Sequence, residues 1–273
     1  MSISLANATQ IIHELWPLSG AEAWDAPGLL SGDPAQQITS IHLAVDAVAG
    51  TVDEAIQAGA DLLLVHHPLL LRGVTSVAED RYKGALLARL IRANCALIAA
   101  HTNADVVEDG VSDVIATRLG LVDAQPITPG SVPGVGIGRV GHLAQPTTLG
   151  QLARDIAELL PATATGVRVS GEYGTLVETV SLCGGAGDSL LAHPAVVSSD
   201  VYITADLRHH PASEAREQAK LTGSGPALID VSHWASEWLW LDAAATQLRA
   251  ALPGVRVSVS DLRTDPWDFV VTQ

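Results

Sequence analysis

Short, wholly apolar runs closed by turn residues alternate along this chain with segments of helical spacing, and that alternation restricts the fold more than any other feature. The run Leu62-Leu63-Leu64-Val65 is apolar on both sides of the pleat. It reads as an apolar strand, and strands alternating with helical patterns favour mostly parallel sheets. The patterns predict strands over Ile38–Val45, Asp61–Val65 and Ala96–Ala100, and helices over Ala6–Trp16, Thr51–Gly59 and Lys83–Ala93. A further helix is expected with Asp109 as its N-cap and its end near Gly120. The proline- and glycine-rich stretch from Gln125 to Pro146 reads as a linker entering a kinked strand. It divides the chain into expected domains 1–128 and 129–273, with the C-terminal segment packing back on the first. The alternation then resumes with helix Thr148–Leu160, strands Gly166–Ser170, Thr179–Cys183 and Val201–Thr204, and helix Ser213–Lys220. Strand Ala227–Val231, helix Trp234–Ala250 and strand Val255–Ser260 complete it. The expected class is α/β, two related domains with mostly parallel sheets.

The relatedness rests on two pairs of segments. Ala60-Asp61-Leu62-Leu63-Leu64-Val65-His66-His67-Pro68 has a looser counterpart in the run from Asp200 to Pro211, which ends His209-His210-Pro211. The run Ala96 to Asp105, with His101 and Asp105, parallels Ala227 to Glu237, with His233 and Glu237. Each half therefore offers a His-His-Pro after one strand and a histidine with a carboxylate four residues on after the next, as duplication of one α/β unit would produce.

These segments hold six of the ten histidines. Open α/β sheets place ligands beyond the carboxyl ends of their strands, so His66 and His67 are expected at the functional rim. Neutral imidazole is the commonest metal ligand, and His233 and Glu237, one turn apart, share a face if a helix begins there. Asp105 and Glu237 are the natural carboxylates to bridge two cations. A nitrogen and oxygen donor set without thiolate suits Zn, Fe, Mn, Co or Ni alike. One such motif alone is commonly a loop with surface histidines; four at matching strand ends favour a metal site. His13, His42, His142 and His193 have no partner pattern and read as structural or exposed.

The segment Cys183-Gly184-Gly185-Ala186-Gly187-Asp188-Ser189 is either a backbone nest for an anion at a helix N-terminus or a tight turn capped by Asp188 or Ser189. The turn-rich segment Trp24-Asp25-Ala26-Pro27-Gly28-Leu29-Leu30 is expected to close over the core, and Trp234 with Trp238 to pack. No Ser or Cys stands in a nucleophile turn such as G-x-S-x-G. The chain carries 15 Lys+Arg against 30 Asp+Glu, a formal charge of −15, which opposes a phosphate-tracking nucleic-acid surface. Charged residues are only 16%, sparse enough to point to surface covered by other subunits. Cys95 and Cys183 lie apart without a CxxC, the start lacks a signal-peptide pattern and no apolar run suits a membrane span, so a cytoplasmic protein is expected.

At W-D-x-x-G-L (Trp24 to Leu29), A-D-L-L-L-V-H-H-P (Ala60 to Pro68), H-T-N-A-D (His101 to Asp105), the glycines Gly184 to Gly187, T-A-D-L-R-H-H (Thr204 to His210), S-H-W-A-S-E (Ser232 to Glu237) and D-P-W (Asp265 to Trp267), the sequence resembles the Nif-three-like family, also known as type 2 GTP cyclohydrolase I homologues. The resemblance implies two related domains facing each other across a cleft that binds two divalent metal ions per chain, and subunits assembled into a homohexameric ring. It places metal ligands at His66, His67, Asp105, His233 and Glu237, with His101 as an addition. It places His209 and His210 in the same cleft, facing substrate or supporting the ligands. Ala26, Ala205-Asp206 and Ser232 depart from the family's usual residues without removing a ligand.

The function expected from these readings is a dinuclear metal-dependent hydrolase that uses metal-bound hydroxide on a nucleotide-like or phosphorylated small molecule. GTP cyclohydrolase and phosphoester cleavage are its two forms. The alternative is a ring-forming protein that binds or handles metal through partners without turnover.

Overall fold

A computed structural model describes residues 2–272. The chain divides into two units, one formed by the chain through Ala104 with Leu241–Thr264, the other by Asp105–Trp240 with the segment from Asp265 onward.

In the first unit the apolar run Leu62–Val65 is a strand with all four residues buried. It pairs in parallel with Ser40–Ala44 and with Ala96–Ala99, both equally buried. Arg256–Val259 extends the sheet in parallel beside Ser40–Ala44, and Gly28–Ser31 closes the other edge antiparallel to Ala96–Ala99. Helices Ala49–Gln57 and Tyr82–Arg92 are the crossovers between these parallel strands. They bury Val52, Ala55, Leu86 and Leu90 in one cluster with Leu63, Val65 and Leu97. Helix Leu5–Leu15 buries Leu5, Ala8 and Ile12, the i, i+3, i+7 stripe of an amphipathic helix, and Ser4 caps it by accepting from the Asn7 amide. Gly59, in the left-handed region at φ 62°, ends the second helix as its position predicts.

The second unit repeats the central triplet. Leu176–Ala186, Val201–Ala205 and Ala227–Val231 run parallel in that order. Its flanks differ: Arg168–Ser170 pairs antiparallel with Ala227–Val231, and Arg139–Thr148 and Leu121–Gln125 extend the other side antiparallel. Mostly parallel pairing thus holds in the first unit and not in the second. Leu121–Gln125 and much of Arg139–Thr148 are open to solvent, which antiparallel strands tolerate and buried parallel strands do not.

Three further expectations are corrected. The unit boundary falls at Ala104/Asp105 rather than 128/129, because the Pro/Gly stretch is not a linker. It folds into a small hairpin, Thr128–Pro129 against Gly136–Ile137, and then into the Arg139–Thr148 strand. Arg139, 2% exposed, ties it down by donating to the carbonyls of Gly136 and Gly138 at 2.8 and 2.7 Å and to Asp113 Oδ1 at 2.7 Å. Asp109 is not an N-cap: it sits at φ 56°, Gly110 precedes helix Val111–Arg118, and no side chain caps it. The expected helix Trp234–Ala250 is two, His233–Trp238 and Trp240–Ala251, parted at Leu239. Among the described residues no helix is long and apolar enough to cross a membrane.

Candidate metal centre

In the first unit His66 and His67 directly follow the Leu62–Val65 strand, and His101 follows the adjacent Ala96–Ala99 strand by two residues. Parallel pairing brings the two strand ends side by side. One ring nitrogen from each of the three imidazoles falls within 4.8 Å of the others, a group able to hold a metal ion. The other ring nitrogen of each is committed to an oxygen. His66 Nδ1 donates to the Ala100 carbonyl at 2.8 Å, His67 Nδ1 to Asp46 Oδ1 at 2.7 Å and His101 Nδ1 to Asp25 Oδ1 at 2.7 Å. Since a carbonyl can only accept, the His66 bond fixes the proton on Nδ1 and leaves the Nε2 lone pair as donor. The carboxylates impose the same tautomer on the other two.

The supporting acids are themselves held. Asp25, its side chain fully enclosed, accepts from the Ala26 amide at 2.7 Å and from the Thr102 amide at 3.0 Å and hydroxyl. Burial pushes this carboxyl up, but the bonds from Thr102 and His101 outweigh it and hold it below its ordinary value. Asp46 accepts the Thr264 hydroxyl. Burial, then the neighbouring His66, pull the His101 imidazole down to about 4 against the attraction of Asp25, so it is neutral near pH 7, the form a cation needs.

In the second unit Ser232 follows the Ala227–Val231 strand and caps helix His233–Trp238, accepting from the Ala235 amide at 3.2 Å. Its hydroxyl also bonds Asp265, so this serine joins the S-H-W-A-S-E and D-P-W segments. His233 and Glu237, one turn apart, meet at 2.9 Å through Nε2 and Oε1, and Asp206 accepts from His233 Nδ1 at 2.9 Å. Glu237, then Asp206, raise this imidazole to about 11 against burial.

The glycine segment serves this pair and is not an anion nest. Gly184 and Gly185 belong to the Leu176–Ala186 strand, and only a three-residue 3-10 turn, Asp188–Leu190, follows. Gly185 lies at φ 65°, and a Cβ there would stand 2.5 Å from Glu237 Oε1. The residue is glycine so that the strand can pass against the carboxylate, while its amide donates to Ser236 Oγ at 3.0 Å.

The remaining candidates are placed differently. Asp105 ends the short helix Thr102–Asp105 and lies in neither group; with burial, its charge helps push the Cys183 thiol up to about 12. His209 and His210 pack ring to ring at 5.2 Å on the exposed first turn of helix His209–Thr222, also outside both groups. Trp24 does not close over the core: it is 60% exposed, edge-on to His101. Of the other histidines, His42 is buried and joins Ser258 and Glu54 at 2.9 and 3.1 Å, and His193 caps a short helix. Sequence reasoning missed the oxygen partners Asp25, Asp46 and Asp206 in their roles. The signal was present: Asp46 and Asp206 sit one or two residues past strand ends, and Asp25 lies inside the W-D-x-x-G-L segment.

Two α/β units whose parallel strands end in imidazole and carboxylate donors define an α/β protein with groups suited to divalent metal. The chain belongs to the Duf34/NIF3 (NGG1p interacting factor 3) family, whose profile matches residues 3–266. A Streptomyces coelicolor protein named GTP cyclohydrolase 1 type 2 homolog is 45% identical over 270 residues, covering 96% of this chain and 93% of its own. A Mycobacterium tuberculosis protein of the same name is 35% identical over 381 positions, covering 98% of both. Among solved structures, a Staphylococcus aureus hypothetical protein superposes with a TM-score of 0.87 at 28% identity, over 98% of this chain and 99% of the other. A Bacillus cereus protein related to NIF3 shares the fold with a TM-score of 0.89 at 22% identity, over 98% and 99%.

Proposed function

We propose that this protein is a divalent-metal-dependent hydrolase acting on a nucleotide-like or phosphorylated small molecule. One observation carries the reading: His66, His67, His101 and His233 each have Nδ1 bonded to an oxygen acceptor, three of the four to a carboxylate. Oxygen acceptors on the far ring nitrogen, carboxylate or backbone carbonyl, are how metal sites fix tautomer, orient the ring and raise ligand basicity, and four together exceed what packing requires. The donors fit a borderline divalent ion, having imidazole nitrogen and carboxylate oxygen without thiolate.

His66, His67 and His101 would supply the ligands of the first unit, His233 and Glu237 those of the second, and Asp105 a further carboxylate, serving two ions per chain. Bound there, divalent cations would bring the pKa of water into the neutral range and polarise a phosphoryl or carbonyl oxygen. Burial holds His101 neutral, and Asp206, by accepting from His233 Nδ1, would keep that ring oriented when Glu237 turns to a cation. His209 and His210 would face substrate. The relatives' name extends to this chain as the candidate reaction, hydrolysis of the GTP purine ring; phosphoester cleavage asks the same of the donors. A cytoplasmic homohexameric ring completes the proposal.

Elemental analysis of protein purified without chelator, beside Asp105→Ala, with turnover of GTP and generic phosphoesters read on the same samples, tests it. Metal that is lost in the variant together with metal-dependent turnover is expected. Metal without turnover would favour a metal-handling protein, and no metal after reconstitution would overturn the reading.

A further inference from the structure

We propose that a groove on the second unit, lined by Arg168, Arg208, Arg216 and His209 over Leu207 and Leu228, binds the phosphate group of a small phosphorylated molecule. The cavity measures about 380 Å³, near the lower end of the roughly 300–1,000 Å³ of small-molecule sites, so it takes one compact ligand. Its charge runs against the chain. Only 15 residues are Lys or Arg, against 30 acids, yet three of the cations gather here around a single lining carboxylate, Asp230.

That carboxylate is already occupied: it pairs with Arg168 and accepts from the Leu207 amide at 2.8 Å. Arg208 is steered by Asp188 at 2.5 Å. Two guanidiniums are thus each paired with a carboxylate while Arg216, which forms no ion pair among the described residues, leaves the rim net positive. Helix His209–Thr222 adds to this, since its first turn faces the groove through His209, Ala212 and Ser213 and no side chain caps it. Planar guanidiniums bind phosphate oxygens in pairs, and the apolar floor suits the carbon skeleton of a phosphate ester better than a bare ion. Leu207 follows Asp206, the residue that holds His233, so groove and metal donor share one loop. The assignment deepens the hydrolase reading and rests on it for calling the ligand a substrate; anion binding itself does not need the metal.

Calorimetric titration with inorganic phosphate and with guanosine monophosphate, on protein as purified and after chelation, tests this when metal content is measured on the same samples. Saturable binding is expected that survives chelation, favours the ester, and falls about tenfold in Arg216→Ala with partial recovery in Arg216→Lys. His209→Ala should weaken it less. Absence of saturable binding, binding that disappears with the metal, or affinity unchanged in Arg216→Ala would overturn the proposal. Phosphate binding in a protein that takes up no metal would keep the groove and remove the hydrolase reading.

Discussion

The two units solve one folding problem in the same way and then diverge at the residues that matter for chemistry. In each, an aspartate just before the middle parallel strand anchors the backbone of its neighbour. Asp61 accepts from the Thr39 and Ser40 amides at 2.7 and 3.0 Å, and Asp200 from the Glu178 and Thr179 amides at 2.9 and 2.7 Å. The backbone matches too, since the Asp61 and Asp200 amides bond Ser40 and Thr179 carbonyls, and their carbonyls accept from Ala96 and Ala227. Past the strand ends the units part. The first places His66 where the second has Asp206, each directly after its middle strand, so one unit presents three imidazoles and the other an imidazole between two carboxylates. In the first set burial keeps His101 neutral near pH 7, whereas in the second His233 holds a proton that a cation must displace. A duplicated frame thus carries two donor sets of different charge.

The largest expected effects separate the two sets. His66→Ala and Glu237→Ala should each remove at least one of about two ions per chain, measured by elemental analysis after dialysis. Full retention in both variants would show that neither set holds metal. The supporting acids come next. Asp25→Asn and Asp206→Asn should weaken metal affinity by about 10–100-fold. Asp25 should matter more, because its side chain is enclosed while that of Asp206 is 62% exposed and water can replace it. Competition titration against a chromogenic chelator measures both, and equal effects would erase the contrast.

Gly185→Ala sharpens the comparison on one side only. The added methyl meets both a left-handed backbone and the Glu237 carboxylate, a combined cost of about 1–3 kcal/mol, or a few degrees of melting temperature. Metal uptake by the second set should fall while the first is untouched. An unchanged Tm and metal content would mean that the strand moves aside freely.

The residues themselves disclosed most of this frame. The apolar runs at Leu62–Val65, Ala96–Ala99, Val201–Ala205 and Ala227–Val231 are strands because nothing but a doubly covered position accepts them, and the histidines stand out because so few residues here are charged. Three things were hidden. Gly134, Gly136 and Gly138 looked like a linker because positive φ serves a hairpin as well as a loose segment, and only the burial of Arg139 shows which. The role of Gly185 depends on Glu237, 52 positions away, and no local pattern announces a clearance. Asp25, Asp46 and Asp206 were passed over as partners because a supporting carboxylate is set by where its strand end lands in space, not by its spacing from the histidine.

The smallest effect tests the shared frame itself. Asp61 accepts four bonds, including the hydroxyls of Thr39 and Ser40, where Asp200 accepts two amides. Asp61→Asn should therefore cost more than Asp200→Asn, about 1–2 kcal/mol against less than about 1 kcal/mol, since both sites are partly open to solvent. Burial pushes the Asp61 carboxyl up, but the Thr39 and Ser40 donors outweigh it and hold it below its unfolded value. A carboxyl depressed in the folded state contributes fully above the unfolded pKa, and that contribution is lost as pH falls through the folded one. The melting-temperature gap between wild type and Asp61→Asn should accordingly be constant near neutrality and narrow below about pH 4. A gap that stays open in acid would show that geometry, not the charge on Asp61, sets the start of the Ser40–Ala44 strand.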